Sequence, residues 1–302
     1  MGDDIRADKS NTIPRNDYES DSYALRKKCL VTFITQPLPM GANDNGKRTK
    51  MIEDEGSKLD GEEVDVDIFE LYKFINSLPD MKPDFKLMRN HTLNEIDEKL
   101  QKLETKGNRY GSFIFVILTY VHTERDEIQV ENRGVMVDHF FDTIKSFESM
   151  AAKPKLFLIQ ADDLRMLKPT TTTKAEAFDH KENTEKIPTD ADRIVLMSTI
   201  PQELSNRGQV AHRTEHGQLI RQTSDASKNP KMSLLVQAFI DVLTENPDTD
   251  FLCNTPLIVG RVDALAEDLK KRLGADYIGY DIPVPVVTST LTKRLFLGRK
   301  IV

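Results

Sequence analysis

The chain has 302 residues, enough to bury a substantial core as one large domain or two smaller ones. Its 42 Lys and Arg against 49 Asp and Glu leave a formal charge of -7, which lacks the basic excess that nonspecific nucleic-acid binding needs. Two cysteines, Cys29 and Cys253, no apolar leader and no apolar run approaching roughly 18 residues predict a reducing, cytoplasmic setting without membrane contact.

Residues 1–25 are charged and polar with almost no apolar side chains, so a disordered N-terminal tail is expected. Lys28-Cys-Leu-Val-Thr-Phe-Ile-Thr35 reads as the first strand, with Cys29 as a packing residue. The polar stretch Gln36 to Glu63 is a long loop. A helix is predicted over Val66 to Ser77, with Ile68, Leu71, Tyr72, Ile75 and Leu78 on one side, and a second strand over Asp84 to Met88. Thr92 and Glu95 have capping-box spacing ahead of an apolar face of Leu93, Ile96, Leu100 and Leu103, with Gly107 as the C-cap.

Phe113 to Leu118 is a continuous apolar run that leads into Thr119-Tyr120-Val121-His122. After a helix over Val137 to Met150, Leu156 to Ile159 reads as a strand buried on both faces, as in a parallel sheet covered by helices. In such sheets function gathers at the carboxyl ends of the strands, and here that end carries Gln160-Ala161-Asp162-Asp163-Leu164. Residues 165–186 form a charged, threonine-rich segment without useful periodicity. Ile194 to Met197 begins a further strand, and residues 208–231 are rich in loop formers. That last stretch holds His212-Arg-Thr-Glu-His216, whose histidine spacing matches a zinc-protease helix but whose glutamate is displaced, so no metal site is expected. Helices follow over Ser233 to Leu243 and around Val262, Leu265, Leu269 and Leu273, the latter stopping at Gly274, and Val286 to Phe296 is predicted to be the last strand.

Gln160-Ala161-Asp162-Asp163-Leu164 resembles the caspase signature Gln-Ala-Cys-Arg-Gly with its last three positions replaced, so that Asp162 stands at the thiol position. The resemblance extends over residues 25–300. Phe113 to Thr119 is similar to the strand that ends at the catalytic histidine, and Ile187-Pro-Thr-Asp-Ala-Asp192 with Ser198-Thr-Ile-Pro-Gln202 is similar to the start of the small subunit. Pro201-Gln-Glu-Leu-Ser-Asn-Arg207 is most similar to nematode death caspases. The implied fold is caspase-like α/β, a mostly parallel sheet of about six strands with helices on both faces. It implies one folded domain, divided into a tail (1–25), a large-subunit-like region (26–164), a linker of the intersubunit type (165–186) and a small-subunit-like region (187–302).

The same resemblance implies what the site should contain. Ungapped counting places Tyr120 at the histidine position, and a strand-end loop two residues longer places His122 there. Gln160 and Arg207 correspond to remnants of the pocket that grips a substrate aspartate, whereas Leu59 or Asp60 stands where the family has a second pocket arginine. A carboxylate is a far weaker nucleophile than a thiolate toward an amide, so Asp162 implies a pseudoenzyme without catalytic residues and without a cofactor. Thr288, Leu291, Leu295 and Phe296 fall on the strand that in caspases pairs with a second molecule, and an exposed strand edge invites such pairing. The expected role is regulation of apoptosis by binding a caspase or its precursor, as a heterodimer, and inhibiting its activation, or self-pairing as a homodimer. A divergent endopeptidase and a scaffold acting through the long loops are the alternatives.

Overall fold

The computed structural model describes residues 21–25, 27–36, 63–79, 81–121, 127–131, 133–163, 191–201, 210–213, 219–221, 232–274 and 282–298. The expected linker, His122, Arg207, Leu59, Asp60 and His216 lie outside these residues.

In chain order the elements are β1 (Lys28–Thr35), β2 (Glu63–Asp65), α1 (Val66–Ser77), β3 (Lys82–Arg89), α2 (Leu93–Glu104), β4 (Tyr110–Tyr120), β5 (Glu127–Val130) and β6 (Arg133–Met136). These are followed by α3 (Val137–Lys145), β7 (Lys155–Asp162), β8 (Arg193–Ser198), β9 (Val210–Arg213), β10 (Leu219–Arg221), α4 (Leu234–Glu245), α5 (Phe251–Leu273) and β11 (Val286–Ser289). Six strands make the central sheet in the order β11-β8-β7-β4-β1-β3. All pairings in it are parallel except β11 with β8. The expected mostly parallel sheet of about six strands is therefore present.

The apolar runs sort by alternation onto the two faces of this sheet. Val31, Val116, Leu118, Leu156, Leu158 and Leu196 pack with α1, α4 and α5 through Leu71, Ile75, Leu235, Phe239, Phe251 and Val262. Leu30, Phe113, Phe115, Phe157 and Ile159 pack on the other face with α2 and α3 through Ile96, Leu100, Phe140 and Ile144. Strands buried on both faces cannot alternate apolar and polar, which is why β4 and β7 read as unbroken apolar runs.

Side-chain caps close the starts of α1 and α2, the first not singled out in the sequence and the second expected. Asp65 Oδ1 accepts the first free amides of α1, from Asp67 at 3.0 Å and Ile68 at 3.3 Å. The Thr92–Glu95 capping box closes reciprocally at α2, with the Glu95 backbone N–H to Thr92 Oγ1 at 3.3 Å and the Thr92 backbone N–H to Glu95 Oε2 at 2.8 Å. Gly107, however, is not the cap: α2 closes on Thr105, and Gly107 opens a 3-10 turn. A Cβ on Gly107 would lie 2.0 Å from Ser149 Oγ, so close packing fixes that glycine.

Several boundaries depart from expectation. The helix expected through Met150 ends at Lys145 and resumes as a 3-10 turn over Glu148–Met150. Helix α5 begins at Phe251, well before Val262, and carries Pro256 inside it. Pro256 has no N–H for the carbonyl of Leu252, and the Thr255 hydroxyl supplies that bond instead at 2.8 Å. The stretch 208–231 contains strands where loop was expected, β9 pairing with both β10 and β2. Among the described residues no cluster suited to a metal occurs, and no helix is long and apolar enough to cross a membrane.

Both ends of the chain also differ. The expected tail includes residues that are placed, since Tyr23 donates its amide to the Arg294 carbonyl at 3.0 Å and Leu25 is buried. The strand expected through Phe296 stops at Ser289. Leu295 beyond it is a core residue whose N–H donates to Asp250 Oδ1 at 3.0 Å and whose carbonyl accepts from Phe251 at 2.7 Å. Capping the start of α5 thus competes with strand extension and wins.

Candidate functional site at the carboxyl ends of the parallel strands

Parallel register carries β4, β7 and β8 to a common end, because Tyr120 lies opposite Asp162 and Gln160 lies opposite Ser198. Residues two apart on a strand share a face, so Gln160, Asp162, Tyr120 and Ser198 gather on the face covered by α1, α4 and α5. β4 reaches Tyr120, two residues past the apolar run that announced it, because the Val121 amide donates to the Asp162 carbonyl at 2.9 Å and keeps the strands together. Beyond Asp162 the Asp163 amide continues the ladder to the Ile200 carbonyl, also at 2.9 Å.

All four side chains are buried. Asp162 is 0 % exposed, so its carboxyl group is enclosed among its neighbours rather than standing at an open pocket mouth. Its Oδ1 accepts from Gln160 Nε2 at 2.9 Å. Gln160 Oε1 and Ser198 Oγ, on paired residues, have no hydrogen-bond partner among the described residues. Asp163 is only half-buried, as expected for a strand neighbour pointing to the other face, so the two carboxyl groups do not form a face-to-face acid pair.

The opposite face at this end is closed by a second set of bonds that sequence reasoning did not single out. The Thr119 hydroxyl donates to the Gln129 carbonyl of the β5–β6 hairpin. Gln36 bridges three segments: its backbone N–H reaches the Leu118 carbonyl at 3.0 Å, its Nε2 the His91 carbonyl at 3.0 Å, and its Oε1 accepts from the Glu131 amide at 3.2 Å. A glutamine directly after a buried strand was the only available signal.

Neither sulfur approaches this end. Cys29, the second residue of β1 and opposite Ser112, is buried and has its thiol pushed up to about 12 by that burial, so it is a packing residue. Cys253 is exposed near the start of α5. The two histidines whose side chains are described are committed elsewhere, His139 to the Asp97 carboxylate at 2.9 Å and His91 to the Arg89 carbonyl at 2.9 Å and to Lys99. Of the site residues expected from sequence, the structure unites Tyr120, Gln160 and Asp162. Thr288 lies in β11 at the sheet edge, Leu291 is partly buried beside the core, Leu295 lies within it, and Phe296 follows outside any strand.

The fold matches those of known proteins. Solved structures of similar fold include one described as pro-sf-caspase-1, at 19% identity, covering 95% of this chain and 96% of that chain with a TM-score of 0.59. Another is caspase-1 from Spodoptera frugiperda, at 17% identity, covering 93% of this chain and 95% of that chain with a TM-score of 0.56. No curated protein gives a significant match. A family model described as "Caspase domain" matches residues 45–296, most of the chain, and the chain belongs to the caspase domain family.

Proposed function

We propose that this chain is a non-catalytic caspase homologue that binds a caspase or caspase precursor in the cytoplasm and inhibits its activation, thereby regulating apoptosis. One observation carries the reading: Asp162, which by resemblance occupies the thiol position, is fully buried and hydrogen-bonded by Gln160. A carboxyl group so placed is a poor nucleophile toward an amide, and it already occupies the Gln160 amide that the resemblance assigns to gripping a substrate aspartate. Asp163 and Leu164 stand where the signature has arginine and glycine, so the departure covers three consecutive positions. Replacing Asp162→Cys is therefore expected to give no cleavage of aspartyl peptides, because losses in a constellation that works as a unit are not repaired singly. Efficient cleavage by that variant would sink the reading. Cleavage by the wild-type chain would establish the competing one, a divergent endopeptidase, which family membership favours.

The surface proposed for the partner, or for a second copy of this chain, is β11. It is the edge of the central sheet beyond β8, and Val284 and Val286 there are exposed. Thr290 donates its N–H inward to the Arg193 carbonyl at 2.7 Å, and antiparallel strands alternate inward and outward donors, so the N–H groups of Ser289 and Val287 face outward. Edge pairing needs such donors and no nucleophile. Ser289→Pro removes one outward donor while sparing the bonds to β8, and is expected to weaken association with a caspase precursor at least tenfold in sedimentation without loss of monomer stability. Undiminished association would place the interface elsewhere; the scaffold reading would be favoured if no caspase precursor associates at all.

A further inference from the structure

At the opposite end of the sheet from Asp162, residues remote in sequence meet at Asp192. This residue adopts φ 67°, in the left-handed region, immediately before β8, and is 4% exposed. Its carbonyl accepts from the Lys155 amide at 2.8 Å at the start of β7, and its own amide donates to the Thr290 carbonyl at 2.9 Å just past β11. Its Oδ1 accepts from the Tyr23 hydroxyl and from Thr292 Oγ1, the latter at 2.5 Å. The Tyr23 oxygen in turn accepts from the backbone amides of Thr292 at 3.1 Å and Lys293 at 3.3 Å. Alongside, Tyr23 donates its amide to the Arg294 carbonyl at 3.0 Å and Arg294 donates to the Asp21 carbonyl at 2.9 Å, a short parallel pairing of the two chain ends.

We propose that residues 21–23 are a strap latched by the Tyr23 hydroxyl, which holds the segment after β11 away from the sheet edge and couples the chain preceding Asp21 to that edge. Together with the bonds that tie Leu295 to the start of α5, the latch accounts for where β11 stops. Thr292, Lys293 and Arg294 give their amides to the strap, so the pairing edge is limited to the four residues Val286–Ser289. Opening the strap frees those three donors, adjacent to β11, for pairing with another chain. The catch is specific because one phenolic oxygen donates once and accepts twice. The flanking Arg294–Asp21 ion pair, at 3.8 Å with side chains 58% and 88% exposed, adds little. Burial, and then the hydrogen bond to Asp192, push the Tyr23 hydroxyl up to about 12, so near neutral pH it stays protonated and able to donate to Asp192. The consequence for a partner rests on the assignment of β11 as the binding edge; the latch itself does not.

The test is residue-resolved amide hydrogen exchange on the full chain, wild type against Tyr23→Phe and Asp192→Asn. Tyr23→Phe is expected to speed exchange at Asp192, Thr292, Lys293 and Arg294 tenfold or more while the amides of β4 and β7 are unchanged. Asp192→Asn keeps an accepting oxygen and a residue that tolerates positive φ, so a smaller rise confined to the same amides is expected. Unchanged exchange at those four amides, or a uniform rise through β4 and β7, overturns the latch. Because no partner is needed for the readout, failure of the association assay leaves this result standing, and failure here leaves the assignment of β11 untouched.

Discussion

Asp162 and Ser198 are both buried polar residues at strand ends, yet they differ in what their neighbours supply. Asp162 Oδ1 has the Gln160 amide at 2.9 Å, whereas Ser198 Oγ has no partner among the described residues. Truncating a hydroxyl that has no partner forfeits little, while deleting a donor leaves a buried acceptor short. Ser198→Ala is therefore expected to change unfolding free energy by less than about 1 kcal/mol, and Gln160→Leu to lower it by about 1–3 kcal/mol. Chemical denaturation of the two variants measures the difference, and a larger loss for Ser198→Ala would mean that its hydroxyl is engaged. The identity of Asp162 at a strand's carboxyl end was legible in the sequence, because an apolar run followed by a polar break has few other readings. Its enclosure was not: Tyr120 comes to lie opposite it on β4 through a register that the sequence does not announce.

At the scale of elements, periodicity located what it governs and failed where a single bond decides. The capping box and the apolar face of Ile96, Leu100 and Leu103 fixed α2, and Leu234, Leu235, Ala238, Phe239 and Val242 fixed α4. The first half of α5 was hidden by Pro256, a residue that argues against a helix until the Thr255 hydroxyl is seen to replace its missing donor. The end of β11 was missed for a similar reason, since Thr288 to Leu297 has strand-like composition but Asp250 draws Leu295 to the start of α5. Proline at Leu295 consequently has an outcome opposite to that of proline on an edge. Leu295→Pro removes a donated N–H and a buried leucine together, and should cost at least about 3 kcal/mol of stability. Thermal unfolding against Ser289→Pro decides the point: similar midpoints for the two variants would show that Leu295 is not part of the core.

Over the whole molecule, the strand end and the strap lie at opposite ends of the same parallel sheet, joined by β7, which runs from Lys155 beside Asp192 to Asp162. One thiol and two phenols within this framework hold their protons more tightly than usual. Burial raises the Cys29 thiol to about 12. Burial followed by a hydrogen bond to a carboxylate raises the Tyr23 and Tyr110 hydroxyls to about 12, with Asp192 and Asp84 as the respective acceptors. In each case the unfolded chain gives up its proton first, so the unfolded state binds fewer protons and stability falls as pH rises. Their contribution is complete below the ordinary values of 9.0 for the thiol and 10.0 for the phenols and is lost as pH climbs through the folded values near 12. The chain should therefore unfold progressively more easily from about pH 9 upward, with the steepest loss above pH 10. Tyr23→Phe and Tyr110→Phe each remove one titrating group, and a double variant should show a shallower decline across pH 10 to 12 than wild type even though it is less stable at pH 7. Denaturant midpoints measured across that range test this, and parallel curves for wild type and double variant would show that neither phenol keeps its proton on folding.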